Sequence, residues 1–216
     1  MESIQKRGII FTLKLIYWEL IFDSLYGVDT FAIAELEDLG ITDKPLLHGR
    51  RYQASNYYLL KHALGNLENL MGGFTPNTCL ADIGSGKGRV LIMAAIKGVS
   101  RCIGLEISEK LNVIAQNNIN ILAKKKILSS EQIQLITGNA AEYSLDRNID
   151  IVYLANPFDQ TIVEKVINNI LTSNKNNPRK IFIVYMTPLH EELFQEDKFE
   201  LLYKFNSDYS IFRIKI

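Results

Sequence analysis

The chain has 216 residues, 47% of them hydrophobic, and 24 Lys+Arg balance 24 Asp+Glu to a formal net charge of zero. That length fills one core and is short for two full domains, and the charge balance offers no global field to draw in a polyphosphate backbone, so nucleic acid is disfavoured as a partner. The two cysteines, Cys79 and Cys102, start two apolar runs without any metal-ligand spacing; they read as buried free thiols in a reducing, cytoplasmic compartment, with no metal centre.

The most apolar stretch comes first, IIFTLKLIYWELIFDSL over 9–25. Lys14, Glu19 and Asp23 interrupt it, and a spanning helix wants about 20 mostly uncharged residues, so it does not read as a transmembrane segment. At about 100° per residue Thr12, Glu19 and Asp23 share one narrow face, as in a helix mostly covered by protein. Packing on the body of the domain is the first reading of that helix, a homodimer contact the second and attachment to a membrane surface the third. To about Met71 the chain reads as helices broken at Gly27, Gly40, Pro45 and Gly49, without an alternating strand pattern. Residues 1–74 therefore read as a helical N-terminal extension, and Gly72-Gly73 and Pro76 punctuate the entry to a second unit, 75–216.

From there strands and helices alternate: strand 78–83, helix 88–97, strand 101–106, helix 109–126, strand 132–137, strand 149–155, helix 159–172, strand 180–186. The run Lys124-Lys125-Lys126 ends one of these helices, where cations complement the dipole. Such alternation implies an α/β fold, a parallel sheet covered on both faces by right-handed crossovers. Two β-rich runs, 199–205 and 209–216, joined by Asn206-Ser207-Asp208, close the chain as a hairpin.

The first strand runs into Asp82-Ile83-Gly84-Ser85-Gly86-Lys87-Gly88 and then a helix. Glycine permits positive φ and close backbone approach, and the helix start offers free N–H groups, so this is a candidate ligand loop. A dinucleotide loop spaces its glycines G-x-G-x-x-G. Here the spacing is G-x-G-x-G, and Asp82 would repel a pyrophosphate and favour a ligand carrying positive charge. A nucleotide-linked oxidoreductase is the poorer match for that reason.

DIGSGKGR followed by IGLEIS resembles motifs I and II of the class I, S-adenosylmethionine-dependent methyltransferases. The resemblance implies a Rossmann-like, doubly wound, mostly parallel seven-strand sheet of order 3-2-1-4-5-7-6 whose last strand is antiparallel, which the terminal hairpin suits. It implies S-adenosyl-L-methionine as cofactor, with Asp82 organising Gly84, Ser85, Gly86 and Gly88 around the methionine part. Glu106, followed by Ile107, would then accept hydrogen bonds from the ribose hydroxyls. Thr137-Gly138-Asn139-Ala140-Ala141 is similar to motif III, where Asn139 and Ala140 would hold the adenine; the plain alternative is a Gly-Asn turn.

Asn156-Pro157-Phe158 resembles a shortened form of the N-P-P-[FY] motif of methyltransferases acting on planar nitrogen, with one proline where that motif has two. Asn156 and Pro157 would supply acceptors for the target nitrogen and Phe158 an aromatic wall; the alternative is a strand end fixed by proline. Tyr26-Gly27-Val28-Asp29-Thr30 and His48-Gly49-Arg50-Arg51-Tyr52-Gln53 resemble the N-terminal region of small bacterial methyltransferases sharing GSGKGR and NPF. In that group the region folds over the cofactor, so Tyr52 and Gln53 would close the site. The implied acceptor is a nitrogen on a protein side chain, lysine-like, or on a small molecule. A catalytically silent cofactor-binding or scaffold protein of the same fold is the alternative.

Overall fold

A computed structural model describes residues 9–31, 33–34, 52–155 and 158–215. Helix α1 (Ile9–Tyr26) stops at Gly27, whose φ of +66° ends the helix while its N–H bonds Asp23 O at 2.7 Å. One face of α1 is covered by α2 (Tyr57–Met71): Phe22 is buried against Tyr57, and the Trp18 ring lies 5.3 Å from the same tyrosine. Ile9, Ile10, Leu13 and Tyr17 are more than half exposed. Among the described side chains of α1, the expectation of a helix mostly covered by protein is met on the face toward α2 and not at these four residues. Among the described residues no helix is long and apolar enough to cross a membrane.

The extension is also not purely helical. Strands β1 (Ile33–Ala34) and β2 (Tyr52–Gln53) pair antiparallel in a ribbon of their own. Two residues cannot display a period of two, so no alternation marked them in the sequence. Asn56 caps α2 by accepting from the N–H groups of Tyr58 and Leu59, and Gly72, at φ +75°, closes its other end.

The main sheet has seven strands: β3 (Cys79–Ile83), β4 (Arg101–Glu106), β5 (Ile133–Thr137), β6 (Ile151–Leu154), β7 (Phe182–Met186), β8 (Phe199–Phe205) and β9 (Tyr209–Ile214). Their spatial order, β5-β4-β3-β6-β7-β9-β8, is 3-2-1-4-5-7-6 when counted from β3. Only β9 runs antiparallel to its neighbours β7 and β8. The expected α/β architecture is therefore the observed one.

Alternate side chains of each strand enter opposite layers. Leu80, Cys102, Tyr153 and Val184 pack beneath α2, α3 (Arg89–Ile96) and α4 (Glu109–Lys124). Ala81, Ile103, Val152 and Ile183 pack against Val163, Val166 and Ile170 of α5 (Gln160–Asn176) on the other face. Both cysteines are free and buried. Helix α5 runs beyond the expected stop at Thr172 because tertiary contacts override the weak propensity of Ser173-Asn174: Ser173 is buried and its hydroxyl donates to Leu145 O at 3.2 Å.

Candidate ligand site at the carboxyl edge of the sheet

The turn between β3 and α3 is shaped by glycine. Gly84, Gly86 and Gly88 have φ of +86°, +53° and +83°, a left-handed series that side-chain-bearing residues adopt only under strain. The N–H groups of Gly84 and Ser85 both donate to Leu105 O, at 2.8 and 3.0 Å, which ties the turn to the end of β4. Close packing adds a second constraint. A Cβ on Gly104 of β4 would stand 2.5 Å from Leu91 Cδ1 and 2.7 Å from Ser85 Oγ, so the bare backbone at 104 is what lets α3 and the turn settle on the sheet.

Asp82 pairs in register with Gly104 on one side and Tyr153 on the other. It is 1% exposed, and neither carboxylate oxygen has a hydrogen-bond partner among the described residues. Burial first, and the nearby Glu106 second, push its carboxyl well above the usual range. An unpartnered buried carboxylate is costly, so the fold retains it against a stability penalty. Ser85 Oγ is likewise buried and unbonded.

Glu106, the last residue of β4, contrasts with it. Its Oε2 accepts from Gly86 N–H and its Oε1 from Ser108 N–H, both at 2.9 Å. Burial raises its pKa, and hydrogen bonds from the N–H groups of Ser108, Gly86 and Ile107 oppose that rise. The carboxylate thereby joins the glycine turn to the start of α4, where Ser108 is the N-cap. Two carboxylates and an N–H-lined turn thus meet at the carboxyl ends of adjacent parallel strands, where open α/β sheets bind ligands. The donor set fits a ligand presenting cationic or hydrogen-bond-donating groups: Asp82 has free acceptors, and the left-handed turn leaves no side chain at three of its positions.

The remaining expected site residues divide. Ile107 is half-buried beside Glu106. After β5, Gly138 N–H bonds Glu106 O at 3.0 Å, which brings the motif III stretch to the same edge. There Asn139 closes its own turn, Oδ1 accepting from Ala141 N–H at 3.0 Å and Nδ2 donating to Glu142 Oε1 at 3.1 Å. Ala140 is buried in the layer under α5. Phe158 is half-buried against that same layer. Asn156 and Pro157 lie outside the described residues, as do His48, Arg50 and Arg51. Of the residues expected to close the site, Gln53 is exposed in β2, and Tyr52 is its strand neighbour.

Sequence reasoning missed the partners of the turn's own cations. Lys87 Nζ lies 2.7 Å from Asp29 Oδ1, and Arg89 Nε donates to Thr30 Oγ1 at 2.7 Å. Asn118 of α4 joins Asp29 to Lys87. GKGR and VDT were both visible as motifs, but pairs separated by 58 and 89 residues leave no local signal.

The profile of the protein family described as conserved hypothetical protein 95 matches residues 61–210, from α2 to the start of β9. The chain belongs to that family. No curated protein matches the sequence. Among solved structures, YhhF of Escherichia coli superposes with a TM-score of 0.54 at 15% identity, over 73% of this chain and 86% of that one. An RNA methyltransferase of Salinibacter ruber, crystallised with S-adenosyl-L-homocysteine, gives 0.50 at 17% identity over 73% and 90%. The ribosomal protein L11 methylase of Lactobacillus delbrueckii subsp. bulgaricus gives 0.51 at 21% identity over 74% and 79%. The chain therefore has the Rossmann-like, seven-strand fold of known methyltransferases.

Proposed function

We propose that the protein is an S-adenosyl-L-methionine-dependent methyltransferase that methylates a nitrogen, on a lysine-like protein side chain or a small molecule. The observation that carries this reading is Asp82: a buried, unpartnered carboxylate at the rim of a left-handed glycine turn, one strand from a carboxylate that organises that turn. The S-adenosyl-L-homocysteine bound by the similar Salinibacter ruber structure, and the methyl-transfer activities by which that protein and the L11 methylase are described, support it.

When bound, the cofactor would supply an already activated methyl group on a sulfonium. The chain's own work is then binding and alignment, which in general can contribute on the order of 7–11 kcal/mol. In this reading Asp82 and the turn from Gly84 to Gly88 hold the methionine end, Glu106 with Ile107 the ribose, and the backbone at Asn139-Ala140 the adenine. Asn156, Pro157 and Phe158 form the acceptor side, and Tyr52 and Gln53 belong to the closing segment. An amine acceptor must be neutral to attack, and a desolvated wall such as Phe158 favours that form.

Zero net charge supports a protein or small-molecule acceptor over nucleic acid, and two buried free thiols are in keeping with a reducing cytoplasm. For the exposed face of α1 our reading is a second copy of the chain, which sedimentation over a concentration series checks. The function itself is tested by calorimetry with S-adenosylhomocysteine, followed by incubation of cell extract with methyl-labelled cofactor. The expected result is binding, with label entering protein or small molecules. Binding without any labelled product points instead to a cofactor-binding scaffold, and label in RNA or DNA overturns the acceptor class.

A further inference from the structure

The sheet side of the glycine turn is held by Leu105 O and Glu106; its other side is held by the N-terminal segment. Asn118, 2% exposed in the middle of α4, uses its whole amide for this. Its Oδ1 accepts from Asp29 N–H at 2.8 Å, and its Nδ2 donates to Asp29 O at 2.8 Å and to Lys87 O at 3.1 Å. The first two bonds reproduce the pairing of one peptide with another, and the third fixes the carbonyl between Gly86 and Gly88. Lys87 Nζ then returns to the Asp29 carboxylate at 2.7 Å.

Arg89 repeats the arrangement one step on. It is 3% exposed and is the first residue of α3, where the helix dipole and burial both disfavour a cation. Its partners offset that cost. Nε donates to Thr30 Oγ1 at 2.7 Å, Nη1 to Ser55 O at 2.9 Å, Nη2 lies 3.7 Å from Asp23 Oδ1, and the guanidinium stands 5.1 Å over the Phe22 ring. Asp23 in turn accepts from the N–H groups of Thr30 and Phe31 at 2.7 and 2.6 Å. Residues 22–31 and 87–89 therefore share one set of hydrogen bonds.

We propose that Asn118 and Arg89 are positioning residues of the ligand turn, joining the N-terminal segment to residues 87–89 so that the turn keeps its binding shape only while that segment is seated. This inference rests on the cofactor reading above. Three left-handed glycines are conformationally loose unless tied from both sides, and Asn118 supplies the second tie. Seating and ligand binding are then one linked equilibrium, and each strengthens the other. The single tryptophan, Trp18, reports on it, because its ring packs on Tyr57 from the helix that leads into the segment.

The experiment titrates S-adenosylhomocysteine into the full chain, following heat and Trp18 emission, for the wild type, Asn118→Ala, Asp29→Asn and Lys125→Ala. Lys125 Nζ donates to Tyr26 O at 2.7 Å in an exposed bond, so Lys125→Ala removes a contact beside the segment and leaves its ties to residues 87–89 in place. We expect affinity to fall at least tenfold in Asn118→Ala and about threefold in Asp29→Asn, with the ligand-induced change in Trp18 emission lost in the former and both readouts unchanged in Lys125→Ala. Wild-type binding together with affinity within twofold and the same emission response in a folded Asn118→Ala overturns the inference and leaves the cofactor reading standing. If Asn118→Ala does not fold, unchanged affinity in Asp29→Asn overturns it instead. Absence of binding to the wild type overturns the cofactor reading, and this inference with it.

Discussion

Strand β3 carries a polar cluster at each end, half-buried at its amino end and buried at its carboxyl end, and the two are built on opposite principles. At its amino end Asp150 accepts from Cys79 N–H at 3.0 Å, and Arg179 donates to the carbonyls of Ile149, Ser173, Asn177 and Asp146 and to the Ser173 hydroxyl. There the polar groups are matched to one another. At the carboxyl end, three residues from Cys79, both oxygens of Asp82 and the hydroxyl of Ser85 are buried without partners among the described residues. A matched cluster serves the fold, whereas an unmatched one lowers stability and leaves acceptors for something that is not part of the chain.

The largest effect expected from breaking this contrast is at Asp82. Asp82→Asn should cost at least a hundredfold in S-adenosylhomocysteine affinity by calorimetry while leaving thermal stability at neutral pH equal or higher. The sign follows from linkage. A carboxyl whose folded pKa is raised keeps its proton in a range where the unfolded chain has lost it, so the ligand-free protein loses stability as pH rises from the ordinary carboxylate range through the raised value. Glu106 acts in the same direction, with a rise that its backbone donors oppose. If the ligand favours ionised Asp82, affinity should increase with pH over that window by up to about tenfold per unit, and Asp82→Asn should flatten both profiles. A wild type whose stability and affinity are flat across that window would refute the account of Asp82.

Next in size is the opposite change at the amino end. Arg179→Met removes the donors to several carbonyls and should destabilise the protein by about 2–4 kcal/mol, read by denaturant unfolding. Affinity for S-adenosylhomocysteine should stay within twofold. A comparable loss of binding would mean that the two ends of β3 are not separate in function.

The same contrast explains what the sequence made legible. The strands β4 (Arg101–Glu106) and β8 (Phe199–Phe205) were readable to the residue, because runs rich in apolar and aromatic side chains bounded by turn residues leave little choice of limits. The turn and both carboxylates were readable because glycine spacing and a strand-end acid are local in the chain. Asn118 was not. It sits in a helix with Asn117 and Asn120 close by, and nothing local separates an amide that grips Asp29 from one that faces water. Arg89 was hidden for a related reason, since its partners Asp23, Thr30 and Ser55 come from a segment that reads as helix and loop.

The smallest expected effect sharpens the comparison at a residue where both principles are in play. The amide of Asn139 is satisfied within its own turn, by Ala141 N–H and Glu142 Oε1, and in that respect it resembles the matched end of β3. A side chain so occupied would have to give up two hydrogen bonds before meeting an adenine, and exchanging bonds of similar strength gains little. Asn139→Ala should therefore cost roughly 1 kcal/mol or less in stability through the lost turn, and about twofold in S-adenosylhomocysteine affinity. A tenfold loss with unchanged stability would instead make this amide a ligand contact whose turn bonds open on binding. The backbone of Gly138, whose N–H bonds Glu106 O, would then supply the fixed part of the adenine wall and Asn139 the adaptable part.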